Sequence, residues 1–250
     1  MAEIVYPPVI GVAKLMFRAI DLTFDVRGAE HVPRLGGAVL ASNHVSYLDF
    51  IFCGYATQPS RRLVRFMAKQ AVFAHPVSGP LMRGMHHIPV DRTAGSASYQ
   101  AAVAALRAGE VVGVFPEATI SRSFQLKGFK TGAARMAIEA GVPMVPMVTW
   151  GGQRLWTKGR PRQLTRRHTR ISLVVGAPLR PGPDEDAAAV TAQLAERMAG
   201  LLEQAQRDYP DVPANAEDRW WLPAARGGTA PTPQAAAELD RLGRPEARDA

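Results

Sequence analysis

Short apolar runs alternate with segments of helical period through this 250-residue chain, and this alternation limits its fold more than any other feature. We predict buried strands at six apolar runs: 37–41, 63–68, 87–90, 110–115, 142–150 and 170–176. Apolar residues at helical spacing predict helices over 48–55, 98–108, 131–140 and 184–208. Strands that alternate with helices favour an α/β fold, here a mixed, mostly parallel sheet flanked by helices.

Three parts of the chain differ in composition. Residues 1–25 predict an amphipathic N-terminal helix and residues 26–209 the α/β domain. Residues 210–250 form a Pro/Gly/Ala-rich C-terminal extension, which we expect to be partly disordered, although Trp220 and Trp221 can dock onto the domain.

The N-terminal helix has a charged face that includes Lys14 and Arg18. Its opposite face is an apolar stripe: Val9, Ala13, Met16, Phe17, Ile20 and Phe24. The charges interrupt the apolar run too often for a signal peptide or a membrane span. The stripe either covers the core of the domain or lies in a bilayer interface as a possible anchor.

The chain is basic, with a formal net charge of +8 and a pI near 10.1. Residues 154–170 hold seven Lys or Arg, no acid, and Trp156. Such a segment is either a solvated loop, a nucleic-acid contact or a contact to an anionic membrane surface. We favour the membrane surface and expect no nucleic-acid partner, because tryptophan flanked by arginine suits the lipid headgroup layer.

Cys53 is the only cysteine, which excludes an intramolecular disulfide and a multi-cysteine zinc site. This usage favours a cytoplasmic location. His86 and His87 lie at no convincing ligand spacing with His44 or a carboxylate, so we expect no metal.

His44 and Asp49 lie where the first predicted strand gives way to a helix, a place where α/β proteins often carry their sites. On one continuous helix, five residues would turn the two side chains roughly 140° apart. They can meet only if His44 lies in the turn and Asp49 in the first helical turn. The carboxylate would then hold one imidazole nitrogen and leave the other free as a base.

Four short blocks lie at the ends of separate predicted strands. In chain order they are Asn43-His44-x4-Asp49, the segment 84–92 that ends in Asp91-Arg92, the segment 114–121 that contains Pro116-Glu117-Ala118-Thr119-Ile120, and Val142-Pro-Met-Val-Pro146. In this order and spacing they resemble the glycerolipid acyltransferase family, whose best-known members acylate 1-acylglycerol-3-phosphate. The resemblance covers roughly residues 25–180.

The resemblance implies that His44 is the general base and Asp49 the residue that orients it. Arg92 matches the family's position that binds the acceptor phosphate, and Lys69 has a context like that of the family's nearby lysine. Glu117 matches a glutamate that contacts or organises the acceptor site. Asn43 and Thr119, which flank these positions, join the candidate substrate-binding residues.

Two residues depart from the family's third block. Ala118 replaces the usual glycine and Ile120 the usual arginine, with Arg122 as a candidate substitute two residues later. If the glycine position needs positive φ, alanine there costs stability or changes the turn. Lys127, a few residues on, can meet phosphate, the thioester carrier or solvent.

These features predict a peripheral acyltransferase at the cytoplasmic face of the cell membrane. We expect an acyl-CoA or acyl-carrier-protein donor as co-substrate, a lysophospholipid acceptor and no bound cofactor. The preferred acceptor is 1-acylglycerol-3-phosphate, which would give phosphatidic acid in phospholipid biosynthesis. The alternatives are another lysolipid or glycerol derivative as acceptor, a thioester or ester hydrolase with the same His/Asp pair, and a lipid-surface binding module without activity.

Overall fold

A computed structural model of the chain describes residues 3–91 and 95–242. Its helices are α1 (Tyr6–Ala19), α2 (Asp49–Ala56), α3 (Gln70–Ala74), α4 (Ser78–Gly84), α5 (Gly95–Arg107), α6 (Gly132–Ala140), α7 (Ala187–Arg207) and α8 (Pro233–Leu242). Its strands are β1 (Thr23–Arg27), β2 (Ala38–Ser42), β3 (Val64–Lys69), β4 (Ile88–Val90), β5 (Val111–Val114), β6 (Met144–Trp150) and β7 (Arg170–Val175).

Within this part of the chain, seven strands form one sheet in the order β1-β7-β6-β2-β5-β3-β4. The pair β6–β7 is antiparallel and the other five neighbouring pairs are parallel. The predicted fold class, a mixed and mostly parallel sheet flanked by helices, is confirmed.

Strand β2 lies at the centre of the sheet, between β5 and β6, and all five of its residues are buried. Its alternating side chains enter two different cores. Leu40 faces the layer that α1 and α2 cover, with Phe17 and Phe52. Val39 faces the layer formed by α5, α6 and α7, where Leu194 packs. A strand that is buried on both faces must be apolar throughout, which explains its continuous apolar run.

The predicted N-terminal helix is confirmed, but it is shorter than the predicted residues 1–25. Helix α1 ends at Ala19, and Asp21 turns the chain at φ 53°. Residues 23–27, the first three of which we assigned to the helix, instead form the edge strand β1 beside β7. Phe24 stacks on Tyr55 of α2, with 4.2 Å between the ring centroids. A short edge strand in which polar residues alternate with apolar ones has no continuous apolar run, so a prediction based on such runs does not find it.

The apolar stripe of α1 covers the domain's own core. Phe17 is buried, and Ala13 and Met16 pack against the same cluster. Among the helices of the described residues, none is long and apolar enough to cross a bilayer.

The C-terminal extension is described up to residue 242. Trp221 is fully buried beside Tyr209, and Trp220 belongs to the same apolar cluster, so the tryptophans dock as expected. Beyond them the chain forms α8. The limits of the three parts of the chain stay a prediction.

Candidate active site

His44 and Asp49 meet in the turn between β2 and α2. The strand ends at Ser42 and the helix begins at Asp49, as the five-residue spacing required. His44 Nδ1 lies 3.0 Å from Asp49 Oδ2. A carboxylate oxygen accepts, so Nδ1 carries the proton in the neutral ring and Nε2 keeps its lone pair.

Asp49 is held so firmly that it can orient the imidazole. Its carboxylate is fully buried, and Oδ2 accepts the backbone N–H groups of Val45 and Ser46 at 2.7 Å each. The hydroxyl of Thr149 donates to Oδ1 at 2.8 Å. A side chain with this many fixed donors has one rotamer available, and the imidazole takes its direction from it.

The ring of His44 lies against Phe115, with 4.2 Å between centroids and 17° between planes. Phe115 directly follows β5, the strand next to β2. The His44 side chain stays 20% exposed, so the ring is supported from one face and open to a substrate.

Asn43 has a structural contact on each side of its amide. Its Nδ2 donates to the carbonyl of Thr149 at 3.0 Å, and its Oδ1 accepts the Thr149 N–H at 2.7 Å. This pair of bonds ties the turn to the carboxyl end of β6. Asn43 therefore lies beside the site with its amide engaged by the backbone of Thr149.

Glu117 joins two segments beneath the site. Its Oε1 accepts the backbone N–H of His44 at 2.8 Å, and its Oε2 accepts that of Lys127 at 3.0 Å. Burial raises the pKa of Glu117 to about 8 and outweighs the effect of these hydrogen bonds and of the Lys127 charge. The raised pKa favours the protonated carboxyl over the charged one near pH 7, and the two hydrogen bonds hold the backbone of His44 in place.

The two departures in the third block have different structural outcomes. Ala118 adopts φ 60°, a conformation that favours glycine, so the alanine pays a backbone strain of roughly 1 kcal/mol. Ile120 is buried and contributes to no charge cluster. Arg122 instead points its Nε at Asp240 of α8, 3.2 Å from Oδ1.

Thr119 and Lys127 lie on the same side of the site. Lys127 Nζ donates to the Thr119 hydroxyl at 2.7 Å and to Asp240 Oδ2 at 2.6 Å. Lys158 Nζ donates to Asp240 Oδ1 at 2.6 Å. The structure thus brings the third block together with α8, which the sequence did not suggest.

Comparison with known proteins agrees with this geometry. The Acyltransferase family model matches residues 23–150, which is about half of the chain. That segment runs from β1 to the end of β6 and contains both residues of the His/Asp pair.

The chain belongs to the acyltransferase family.

Its relatives share the same kind of name. A 1-acyl-sn-glycerol-3-phosphate acyltransferase of Bacillus subtilis is 29% identical over 66% of this chain and 81% of its own length. One from Limnanthes douglasii is 32% identical over 55% of this chain, which spans only 49% of that protein. The predicted resemblance to glycerolipid acyltransferases and the prediction of an acyltransferase enzyme are confirmed.

The fold has a solved counterpart. The crystal structure of the 1-acyl-sn-glycerophosphate acyltransferase PlsC from Thermotoga maritima matches with a TM-score of 0.66 over 82% of this chain and 81% of that one. At 21% sequence identity, this likeness supports the fold.

Of the two predicted phosphate contacts of this acyltransferase, Lys69 and Arg92, the structure describes Lys69. Lys69 is exposed at the end of β3 and pairs in register with Val90 at the end of β4. Arg92 lies outside the described residues, two positions after Val90. The register therefore places the lysine beside the strand end that leads to the arginine.

Sequence reasoning missed Thr149 and Phe115, which support the acyltransferase's Asp49 and His44. Both stand at the carboxyl end of a buried strand that neighbours β2. That position is where parallel sheets place site residues, and it is the signal that would have identified them.

Proposed function

We propose that this acyltransferase moves a fatty acyl group from acyl-CoA or acyl-carrier protein to the hydroxyl of a lysophospholipid. The preferred acceptor is 1-acylglycerol-3-phosphate, and the product is then phosphatidic acid for phospholipid biosynthesis. The observation that carries the proposal is the His44–Asp49 pair, 3.0 Å apart through Nδ1 of the histidine, in a chain whose relatives carry that acyltransferase name.

In the proposed reaction, His44 Nε2 removes the proton of the acceptor hydroxyl as its oxygen attacks the thioester carbonyl. The new C–O ester bond forms, the C–S bond breaks, and the imidazolium returns the proton to the leaving thiolate. Asp49 stabilises the imidazolium without taking its proton. A positioned base of this kind supplies about 10²–10⁴-fold in rate. The reaction needs no metal and no bound cofactor besides the thioester donor.

Two serines near the histidine are engaged elsewhere, which supports direct attack over an acyl-enzyme. Ser46 donates its hydroxyl to the carbonyl of Trp156 at 2.8 Å. Ser121 donates its hydroxyl to the carbonyl of Gln125 at 2.7 Å. A serine nucleophile would have to donate to the base instead.

In this proposal, Arg92 and Lys69 bind the phosphate of the acceptor, and Glu117 holds the backbone of His44. At the position where the family has an arginine, this chain has the buried and uncharged Ile120. This difference favours, as second candidate, another lysolipid or glycerol derivative as the acceptor.

Acceptor-dependent transfer tests the proposal. Labelled acyl-CoA is incubated with the protein, alone and with a panel of lysophospholipids and glycerol derivatives. We expect labelled phosphatidic acid with 1-acylglycerol-3-phosphate and little free fatty acid without an acceptor. Release of free fatty acid with no acceptor-dependent product would show a hydrolase instead, and a stronger signal from another acceptor would select the second candidate.

We further propose that the enzyme lies on the cytoplasmic face of the membrane as a peripheral protein. On α1, Val12 is 68% and Leu15 69% exposed, close to Lys14 and Arg18. Helix α4, which packs against the start of α1 through Met82, adds the exposed Leu81. Exposed apolar side chains flanked by cations suit an anionic bilayer surface.

Charges on this exposed face should weaken membrane binding. We expect the double variant Val12→Glu and Leu15→Glu to lose most of its binding to anionic vesicles in a sedimentation assay, since each substitution removes apolar area and adds repulsion. Val212→Glu, at an equally exposed valine far along the chain, is the matched control and should bind like the wild type. Equal sedimentation of all three proteins would rule out α1 as the membrane contact.

A further inference from the structure

Three basic side chains converge on one carboxylate at the edge of the active site. Arg122 Nε lies 3.2 Å and Lys158 Nζ 2.6 Å from Asp240 Oδ1, while Lys127 Nζ lies 2.6 Å from Oδ2. Hydrogen bonds from Lys127 and Lys158 outweigh the effect of burial and lower the pKa of Asp240 to about 2. One carboxylate thus faces three cations, and an excess of positive charge remains.

Each cation sits beside a residue that holds the backbone around His44. The N–H of Ser121, next to Arg122, donates to the His44 carbonyl at 2.7 Å. The N–H of Lys127 donates to Glu117, which in turn accepts the His44 N–H.

Lys158 is connected in the same way. The hydroxyl of Thr157 donates to the carbonyl of Val45 at 2.7 Å. The three cations therefore lie on segments that are hydrogen-bonded, directly or through Glu117, to the backbone of His44 or Val45.

The cluster has space made for Arg122. A Cβ atom added at Gly159, which has φ +81°, would lie 2.2 Å from one terminal nitrogen of that guanidinium. The backbone conformation favours glycine there, and the missing side chain leaves room for the terminal atoms of Arg122.

Helix α8, which carries Asp240, buries few of its residues against the domain. Of the ten residues of α8, eight are exposed and only Ala236 is buried. Leu239, next to Asp240, is 42% exposed. Ion pairs between partly exposed groups are weak, so an anion of higher charge can replace this carboxylate.

We propose that Arg122, Lys127 and Lys158 form a binding site for a phosphate group of a substrate, and that α8 fills this site with Asp240 until the substrate displaces it. A phosphate monoester brings up to two negative charges and three acceptor oxygens, which match three cations better than one carboxylate does. The proposal rests on the proposed function, in which both substrates can carry phosphate: acyl-CoA on its nucleotide, and the lysophospholipid on its headgroup, for which this site would replace the placement by Arg92 and Lys69.

Binding of inorganic phosphate, measured by calorimetric titration, tests the site without catalysis. In Asp240→Asn the internal competitor is weakened, and we expect phosphate to bind about three- to tenfold more tightly than to the wild type. Glu238→Gln, also on α8 and paired with the exposed Arg241, is the matched control and should behave like the wild type. When Arg122→Gln and Lys158→Met are added to Asp240→Asn, the gain in phosphate affinity should be lost. Equal or weaker phosphate binding by Asp240→Asn would overturn the proposal.

Steady-state kinetics of Asp240→Asn identify the substrate. A lower KM for 1-acylglycerol-3-phosphate alone assigns the site to the acceptor, and a lower KM for acyl-CoA alone assigns it to the donor. An acyl-pantetheine donor, which lacks the nucleotide, should show no change in the second case. If Asp240→Asn binds phosphate more tightly but the protein shows no transfer activity, the phosphate site is supported and the proposed function is wrong. If the enzyme is active and both KM values are unchanged, the site does not bind a substrate and the proposal is wrong.

Discussion

His44→Ala should lower kcat/KM for acyl transfer by about 10³-fold or more, because the acceptor alcohol then has no base at its proton. The protein should still fold. The backbone bonds of residue 44 to Glu117 and Ser121 do not involve the imidazole. Asp49 keeps its bonds from Val45, Ser46 and Thr149. Initial rates of transfer from labelled acyl-CoA over a series of acceptor concentrations give kcat/KM and measure the loss.

The matched control is His168→Ala. That histidine is exposed and its ring pairs with Asp21 at the surface, so its removal should leave the rate within about twofold. Retention of wild-type activity by His44→Ala would remove the general-base mechanism. Loss of activity together with a lower unfolding midpoint would instead show that the imidazole is needed for the fold.

The second large effect is a loss of stability as the pH rises. The pKa of Glu117 is raised from its ordinary value of 4.5 to about 8 in the folded protein. Between these values the folded chain holds a proton that the unfolded chain has released, so the free energy of unfolding falls with increasing pH. The contribution is fully present below pH 4.5 and is lost through pH 8. From pH 5 to 8 it amounts to roughly 3 kcal/mol.

Urea unfolding at several pH values measures this slope. Glu117→Gln cannot titrate, so its stability should fall by roughly 3 kcal/mol less than the wild type over the same range. The amide also presents a donor where Glu117 accepts two N–H groups, and the variant should therefore be less stable at pH 5. Glu196→Gln, at an exposed site on α7, controls for the loss of any carboxyl group. Parallel curves for all three proteins would show that Glu117 is charged at pH 7.

The sequence predicted the sheet and the His/Asp pair because both depend on local patterns. Buried strands require continuous apolar runs, and the rotation of a helix leaves one way for side chains five residues apart to meet. The edge strand β1 escaped prediction because its alternating residues gain their partner, β7, from almost 150 positions away.

The surroundings of the pair could not be predicted for the same reason. Thr149 reaches Asp49 across 100 positions, and Asp240 reaches Arg122 across 118. No short pattern records which loops the folded sheet will bring together. Ala118 was different, since its departure from a glycine position indicated a strained turn, and the structure shows φ 60° there.

The backbone of the turn at His44 also sets how this region exchanges its amide hydrogens. The N–H of His44 is bound by the buried Glu117, and those of Val45 and Ser46 by the buried Asp49. These hydrogens can exchange with solvent only when their hydrogen bonds to the carboxylates break. Breaking them needs an opening that disturbs the centre of the sheet. We therefore expect the amide hydrogens of the turn to exchange more slowly than those of α8, in which only Ala236 is buried.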